Sequence, residues 1–248
     1  MADTSEDKFQ QGLKQIFKAV TSLPEAERKA ILEATTQMTD AFNETQGQNC
    51  ILYKQAMTDA LTGAPNRLGL LFDLHGRLNN MHRYGDKDLA VVFLDLDWFK
   101  DINDAFGHKV GDEALCRTVQ RLQKAFRGTD TVGRIGGDEM VLVLSYEGDE
   151  IFDEQQVRDK VRQALRGLVY GTREKPYPIG ASIGIAYRGR NEAFGDEVDV
   201  GKMARAILDE ADRYMYADKG GKKERYKKAV ADAQQFLVGD TPSAKPSA

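Results

Sequence analysis

Only two cysteines, Cys50 and Cys116, occur in 248 residues. So far apart, they offer neither a disulfide framework nor a thiolate zinc site, and a reducing compartment is the expected setting. Histidine is scarce too: His75, His82 and His108 are all there are, too few for a histidine-rich metal site. No run approaches the ~18 apolar residues that cross a bilayer. Met1–Phe9 is polar and acidic, so no membrane segment is expected and the cytoplasm is the expected location. The chain has no Gly-x-x-x-x-Gly-Lys-Ser/Thr phosphate loop, no Gly-x-Gly-x-x-Gly and no His-Glu-x-x-His, which removes three common nucleotide and metal frameworks. Positive charge is not in excess. The net charge is −4, so a nucleic-acid polymer is not an expected partner, whereas a single nucleotide needs only a locally basic site.

What is present is enough apolar material for a core, 41% of residues, and a chain long enough for one domain with an appendage. Three regions are expected. The first, 1–57, is helical in character: Leu13, Ile16, Phe17 and Val20 recur at helical spacing, and Ser22-Leu23-Pro24-Glu25 opens a second helix with proline tolerated in its first turn. Such a helical hairpin could pair with a second copy of itself, as a dimerisation or input region with a partner of its own, or pack on its own domain. The second region, 58–230, alternates strand and helix signals. Leu89–Leu94 and Ile179–Tyr187 read as strands, and Lys109–Phe126, Glu150–Val169 and Val200–Asp218 as helices. With a hairpin over Thr131–Leu144, the order is the βαββαβ of an α+β, ferredoxin-like or palm-type sheet flanked by helices. It predicts helices on one face of a largely antiparallel sheet. The third region, 231–248, is a tail. Arg225–Leu237 carries competing strand and helix signals, and Thr241–Ala248 is rich in Pro, Ser and Ala and reads as disordered.

Two short apolar runs, Thr131–Ile135 and Met140–Leu144, flank Gly136-Gly137-Asp138-Glu139. A glycine pair between strand-like runs predicts a β-hairpin, here with a turn that displays two carboxylates. Upstream, Asp95 and Asp97 stand two apart at the end of an apolar run, where a strand points both to one face. Two such acidic pairs suit a divalent cation held against a phosphorylated ligand. The Trp98–Asp104 segment opens a helical turn just after, and a helix N-terminus beside carboxylates is a place where metal and phosphate meet. Calcium-loop chemistry is excluded, because Lys100 and Phe106 hold the positions where such a loop needs glycine and glutamate. Asp97 taken alone could equally be an N-cap.

Asn103 and Asp112 frame a segment that contains Phe106-Gly107-His108. A carboxylate at 112 matches the adjacent N1–H and N2–H₂ donors of guanine and not adenine, and the Asn103 amide can meet another edge. The competing account is that Asp112 caps one helix and Asn103 ends another; His108 is expected to be structural. Lys219, Lys222 and Lys223 follow a helix end, where they could bind a triphosphate or simply complement the helix dipole. Arg127 and Asp130 bracket a helix-to-strand turn.

In order, these motifs resemble those of GGDEF-domain diguanylate cyclases. Asp59-Ala60-Leu61-Thr62-Gly63-Ala64-Pro65-Asn66-Arg67 is similar to the family's opening motif. Asp95-Leu96-Asp97-Trp98-Phe99-Lys100-Asp101-Ile102-Asn103-Asp104 resembles its Asp-x-Asp-x-Phe-Lys-x-x-Asn-Asp. Phe106-Gly107-His108, Gly111-Asp112, the signature Gly136-Gly137-Asp138-Glu139-Met140 and Ala181-Ser182-Ile183-Gly184 complete the series.

The resemblance implies condensation of two GTP into cyclic di-GMP with release of two pyrophosphates, in a Mg²⁺-dependent homodimer, with Mn²⁺ as the alternative ion. It implies Asp95, Asp138, Glu139 and the Leu96 carbonyl as metal ligands, and Asp138 and Glu139 as the catalytic pair. Asn103 and Asp112 would read guanine. The backbone around Trp98, Phe99 and Lys100, with Lys219 and Lys223, would hold phosphates. Arg127, Asp130 and Arg158 fall at the positions of an inhibitory product site. Two rivals share the fold: a non-catalytic cyclic di-GMP receptor, and a cyclase that takes ATP in one half-site. Met140 replaces the signature's phenylalanine, and Lys223-Glu224 replaces the family's Arg-Asn. The first predicts altered packing with chemistry intact; the second loses a bidentate fork.

Overall fold

The computed structural model describes residues 55–85, 87–148, 150–190 and 199–236, with four helical positions at Lys29, Glu33, Thr36 and Gln37. The chain divides into two units, Met1–Lys54 and Gln55–Ala248. The helical hairpin expected over 1–57 falls almost wholly outside the described residues, as does the Thr241–Ala248 tail. The elements named below all belong to the second unit.

The first helix, α1 (Arg67–Tyr84), follows from local chemistry. Asn66 caps it by accepting from the Leu68 and Gly69 N–H groups, and Gly85 ends it in the left-handed region. Leu70, Leu74, Leu78 and Met81 form its buried stripe. Strand β1 (Lys87–Asp97) is apolar at both parities and buried almost throughout, which marks a central strand covered on both faces. Helices α2 (Phe99–Phe106) and α3 (His108–Ala125) follow, separated by Gly107 at φ 83°. Strands β2 (Thr131–Gly136) and β3 (Glu139–Glu147), helix α4 (Glu154–Leu165), a small hairpin of β4 (Val169–Gly171) and β5 (Pro176–Pro178), and strand β6 (Gly180–Arg188) come next. Helix α5 (Val200–Asp218), a 3₁₀ turn at Lys219–Gly221 and helix α6 (Lys222–Phe236) close the described chain.

The main sheet has the order β2-β3-β1-β6 and is antiparallel throughout, the βαββαβ arrangement expected. The expectation of helices on one face needs correcting. The two crossover helices do share a face: Leu115, Val119 and Leu122 of α3 and Val157 and Val161 of α4 pack with Val92, Leu94, Leu142 and Ile183. The other face is covered as well. Leu70, Leu74 and Leu78 of α1 and Ile207, Ala211 and Met215 of α5 pack on Leu89, Val91, Phe93, Val141 and Val143. Helix α5 lies so close to β6 that a Cβ at Gly184 would stand 1.9 Å from the Ala211 carbonyl oxygen. Over the described part of the segment with competing signals, Arg225 to Phe236, the chain is helix, and α6 carries regular structure beyond residue 230.

Candidate active site

Pairing between β1 and β3 sets Asp95 directly opposite Glu139, and pairing with β6 sets it opposite Ser182. Beyond this pair the Leu96 N–H donates to the Asp138 carbonyl at 3.2 Å, so the end of β1 and the hairpin turn touch through their backbones. The turn is tighter than expected. Gly136 pairs with Glu139 across a bulge, which leaves Gly137 and Asp138 as the turn residues and makes Glu139 the first residue of β3. Gly137 sits at φ 53°, where glycine bears no Cβ penalty.

Charge accumulates here. Burial pushes the Glu139 carboxyl above its ordinary range, and Asp212 of α5, Asp95 and Asp138 push it further, with Lys219 acting in the opposite sense. The Lys219 ammonium lies 2.8 Å from Asp95 Oδ2. Among the described residues no three or more acidic, histidine or cysteine side chains are drawn together closely enough to hold an ion as they stand. Mg²⁺ does not require such a cage. It is held by one or two carboxylates with substrate phosphates and water, and surplus negative charge around Glu139, with a cation already on Asp95, fits that kind of donor set.

Asp97 is a different case. It is fully buried, accepts from Ser182 Oγ at 2.8 Å and lies 3.3 Å from Arg225 Nε. Arg225 also donates to Ser182 Oγ at 2.9 Å and to the Asp218 carbonyl at 2.9 Å. The two aspartates share a face as expected, yet only Asp95 faces Glu139 across the sheet; Asp97 anchors α6. Nor is Asp97 an N-cap, because Trp98 occupies that position of α2 without a side-chain cap bond.

The α2–α3 corner brings Asn103 and Asp112 together. A Cβ at Gly111 would meet Asn103 Oδ1 at 1.9 Å, so the amide rests against the residue preceding Asp112. Asp112 is exposed within α3 rather than capping it, and Asn103 is interior to α2 rather than ending it. Lys100 is exposed beside the α2 N-terminus, and Lys223 is exposed on α6. The Lys222 side chain lies outside the described residues.

Arg127 and Asp130 form one compact turn. The Arg127 N–H donates to Asp130 Oδ2 at 2.9 Å, and the Asp130 N–H donates back to the Arg127 carbonyl at 2.9 Å. The Arg127 guanidinium grips Glu150 with both outer nitrogens, at 2.9 and 2.5 Å. The structure does not bring Arg158 to this turn. Arg158 donates to the Ile183 carbonyl of β6 at 2.9 Å and pairs with Glu154 at 2.7 Å, and β6 is the sheet edge opposite β2. The α4 cation that reaches the end of α3 is Lys160, whose ammonium lies 4.7 Å over the Phe126 ring.

Two contacts beside the site escaped the sequence: Arg225 with Asp97, and Arg134 with Asp59 and Gly137. The arginine that precedes the signature by two residues, and the one just beyond Lys223, were the available signals.

The sheet is antiparallel and palm-like, with Asp95 at the end of β1 set opposite Glu139 of the signature turn. Residues 56–225 match the family model described as "Diguanylate cyclase, GGDEF domain". The chain belongs to the GGDEF diguanylate cyclase family. It is 35% identical over 177 residues to the diguanylate cyclase DgcP of Escherichia coli K12, across 71% of this chain and 48% of that protein. To the diguanylate cyclase DgcP of Pseudomonas aeruginosa it is 34% identical over 172 residues, across 69% of this chain and 24% of that protein. The chain thus spans about half or less of the length of these curated relatives. Among solved structures it is similar to the diguanylate cyclase SiaD of Pseudomonas aeruginosa in complex with its activator SiaC, with TM-score 0.57 and 26% identity, covering 87% of this chain and 78% of that one.

Proposed function

We propose that this chain is a diguanylate cyclase that condenses two GTP into cyclic di-GMP and two pyrophosphates as a Mg²⁺-dependent homodimer, with Mn²⁺ as an alternative ion. The observation that carries this reading is the convergence of β1 and the signature turn: Asp95 faces Glu139, and Leu96 bonds the Asp138 carbonyl. Asp95, Asp138, Glu139 and the Leu96 carbonyl would hold the ion. When bound it polarises the α-phosphate and offsets charge on the leaving pyrophosphate. Glu139, held above the ordinary carboxylate range, accepts the proton from the 3′-hydroxyl as that oxygen bonds to the α-phosphorus of the facing GTP. The bond from the α-phosphorus to the bridging oxygen breaks, and pyrophosphate leaves past Lys219 and Lys223. Asn103 and Asp112 read guanine. Backbone N–H groups from Trp98 to Lys100, at an uncapped helix N-terminus, take phosphate oxygens.

One domain holds one GTP, and two phosphodiester bonds need two facing half-sites, hence a two-fold homodimer. Region 1–57 would govern how often the half-sites meet, 58–230 would carry catalysis, and 231–248 would be an accessory tail. The cytoplasm suits a protein fed by GTP; no helix among the described residues is long and apolar enough to cross a membrane. Arg127 and Asp130 would bind product and inhibit. Arg158, committed to β6, is left out of that site.

The test is incubation with Mg²⁺ and GTP, and with GTP plus ATP, followed by mass analysis. Cyclic di-GMP is expected. A mixed dinucleotide would establish the ATP-accepting cyclase instead, and tight product binding without turnover would establish the receptor.

A further inference from the structure

Consecutive residues of α6 hold consecutive residues of the β1–α2 turn. Arg225 bonds Asp97 at 3.3 Å, and the Tyr226 ring packs on Trp98 with centroids 5.0 Å apart at 56°. The turn needs holding. Trp98 sits at φ 63° and ψ 15°, the one non-glycine residue at positive φ among those described, in a region that disfavours any side chain with a Cβ. Its indole also rests close against Gly180, where a Cβ would come within 2.6 Å of Cζ3. Asp97, the residue before, is a fully buried carboxylate that needs a charged partner, and Arg225 supplies it. Trp98 is also where α2 begins: its carbonyl accepts from the Asp101 N–H at 3.0 Å, and no side chain caps the first turn.

We propose that α6 is a positioning element of the active site: Tyr226, acting through Trp98, fixes the turn whose backbone N–H groups receive the triphosphate, while Arg225 fixes the end of β1 through Asp97. This rests on the cyclase reading, and it places two positioning residues beyond the lysines that the family resemblance supplies. Neither residue touches substrate. They set the conformation of a turn that an L-residue adopts only under constraint, and small displacements of groups that orient phosphates weaken binding and rate together.

The chain has a single tryptophan, so its emission reports this turn and nothing else. The full chain, Tyr226→Ala and Tyr226→Phe are compared by Trp98 emission and by calorimetric binding of an α,β-methylene GTP analogue with Mg²⁺. Tyr226→Ala is expected to shift the emission to the red and to weaken analogue binding by about 2–10-fold, the range for loss of one aromatic pair. Its melting temperature should change little, and in turnover its KM should rise more than its kcat falls. Tyr226→Phe should match the parent in both measurements. Unchanged emission, unchanged affinity despite a shift, equal losses in Tyr226→Phe or no analogue binding by the parent would each overturn the proposal. Failure of the parent to make cyclic di-GMP while it binds the analogue would sink the cyclase reading instead, and the emission and affinity comparison would still judge Tyr226.

Discussion

Arg134 meets Asp59 with one guanidinium nitrogen on both carboxylate oxygens, at 3.0 and 2.9 Å, across 75 residues of sequence. The rest of the same fork donates to the Gly137 carbonyl at 2.9 and 2.8 Å. One planar group therefore ties the loop ahead of α1 to the signature turn. Both side chains are largely shielded, with exposures of 12% and 19%, so water does not substitute freely for either. Arg134→Lys keeps the charge and loses the fork. It is expected to destabilise by about 2 kcal/mol, which calorimetry would read as a fall of about 4–8 °C for a domain of this size, and to slow turnover because Gly137 neighbours Asp138. Unaltered melting and turnover would show that the clamp is idle.

Acid should release this clamp. Burial pushes the Asp59 carboxyl up, but hydrogen bonds from the Thr62 side chain and backbone and from Arg134 outweigh it and hold the group below its ordinary value of 3.8. A carboxyl lowered on folding adds stability that is full above the unfolded value and is lost as pH falls through the folded one. The melting-temperature gap between the parent and Asp59→Asn should therefore be constant at neutral pH and close below about pH 4. A gap that widened on acidification would contradict this assignment.

How far the sequence spoke depended on whether partners were near one another in it. The four strands of the main sheet and helices α3, α4 and α5 announced themselves by pattern, and Val200–Asp218 ran to the same residues. Helix α1 went unread although Asn66, the Leu70-Leu74-Leu78 stripe and Gly85 spell out a cap, a face and a stop; exposed Leu68 and Phe72 blur its periodicity. The β4–β5 hairpin hid behind Pro176 and Pro178, residues that argue against a strand. Asp95 and Asp97 looked like one site because strand geometry gives them one face. What parts them is Arg225, 128 residues from Asp97, and no spacing rule reaches so far. Met140 is fully buried opposite Leu94, in keeping with a packing role for the signature's last residue.

Asp138 carries its charge in a two-residue turn, and its backbone carbonyl joins the β1 end. Asp138→Ala should leave the fold nearly untouched, with melting within about 2 °C of the parent, and should reduce cyclic di-GMP formation by at least about 100-fold, as expected for removal of a metal-binding carboxylate. Calorimetry and product quantification on the same preparation check both. Retained turnover would remove Asp138 from the metal site.

Glu150 pairs with Arg127, the arginine proposed to bind product. Its carboxylate is held below the ordinary range by the Arg127 hydrogen bond and by the Glu147 N–H, so product that takes the guanidinium must first displace it. The pair is solvent-exposed, which keeps the effect modest. Glu150→Ala is expected to strengthen product inhibition by about 3–5-fold, the equivalent of an exposed ion pair, with the initial rate unchanged. Arg127→Ala should abolish inhibition. Weaker inhibition in Glu150→Ala would mean that Glu150 orients Arg127 for product, and unchanged inhibition in Arg127→Ala would move the product site elsewhere.

Gly111 is the most direct handle on the proposed base recognition by Asn103 and Asp112. An added Cβ would stand 1.9 Å from Asn103 Oδ1 and 3.2 Å from Phe99 Cζ. What it strikes is the end of a flexible side chain, so the helix can persist while Asn103 swings away. Alanine also favours a helix interior over glycine by about 1 kcal/mol, which offsets the crowding. Gly111→Ala is therefore expected to melt close to the parent while its KM for GTP rises about 2–10-fold, the worth of one lost hydrogen bond to the base. Its preference for GTP over ITP, which lacks the exocyclic amine, should persist, because Asp112 keeps its place one residue on. A KM unchanged from the parent would mean that Asn103 does not touch guanine, and a collapse of the GTP preference would mean that Asn103, not Asp112, reads that amine.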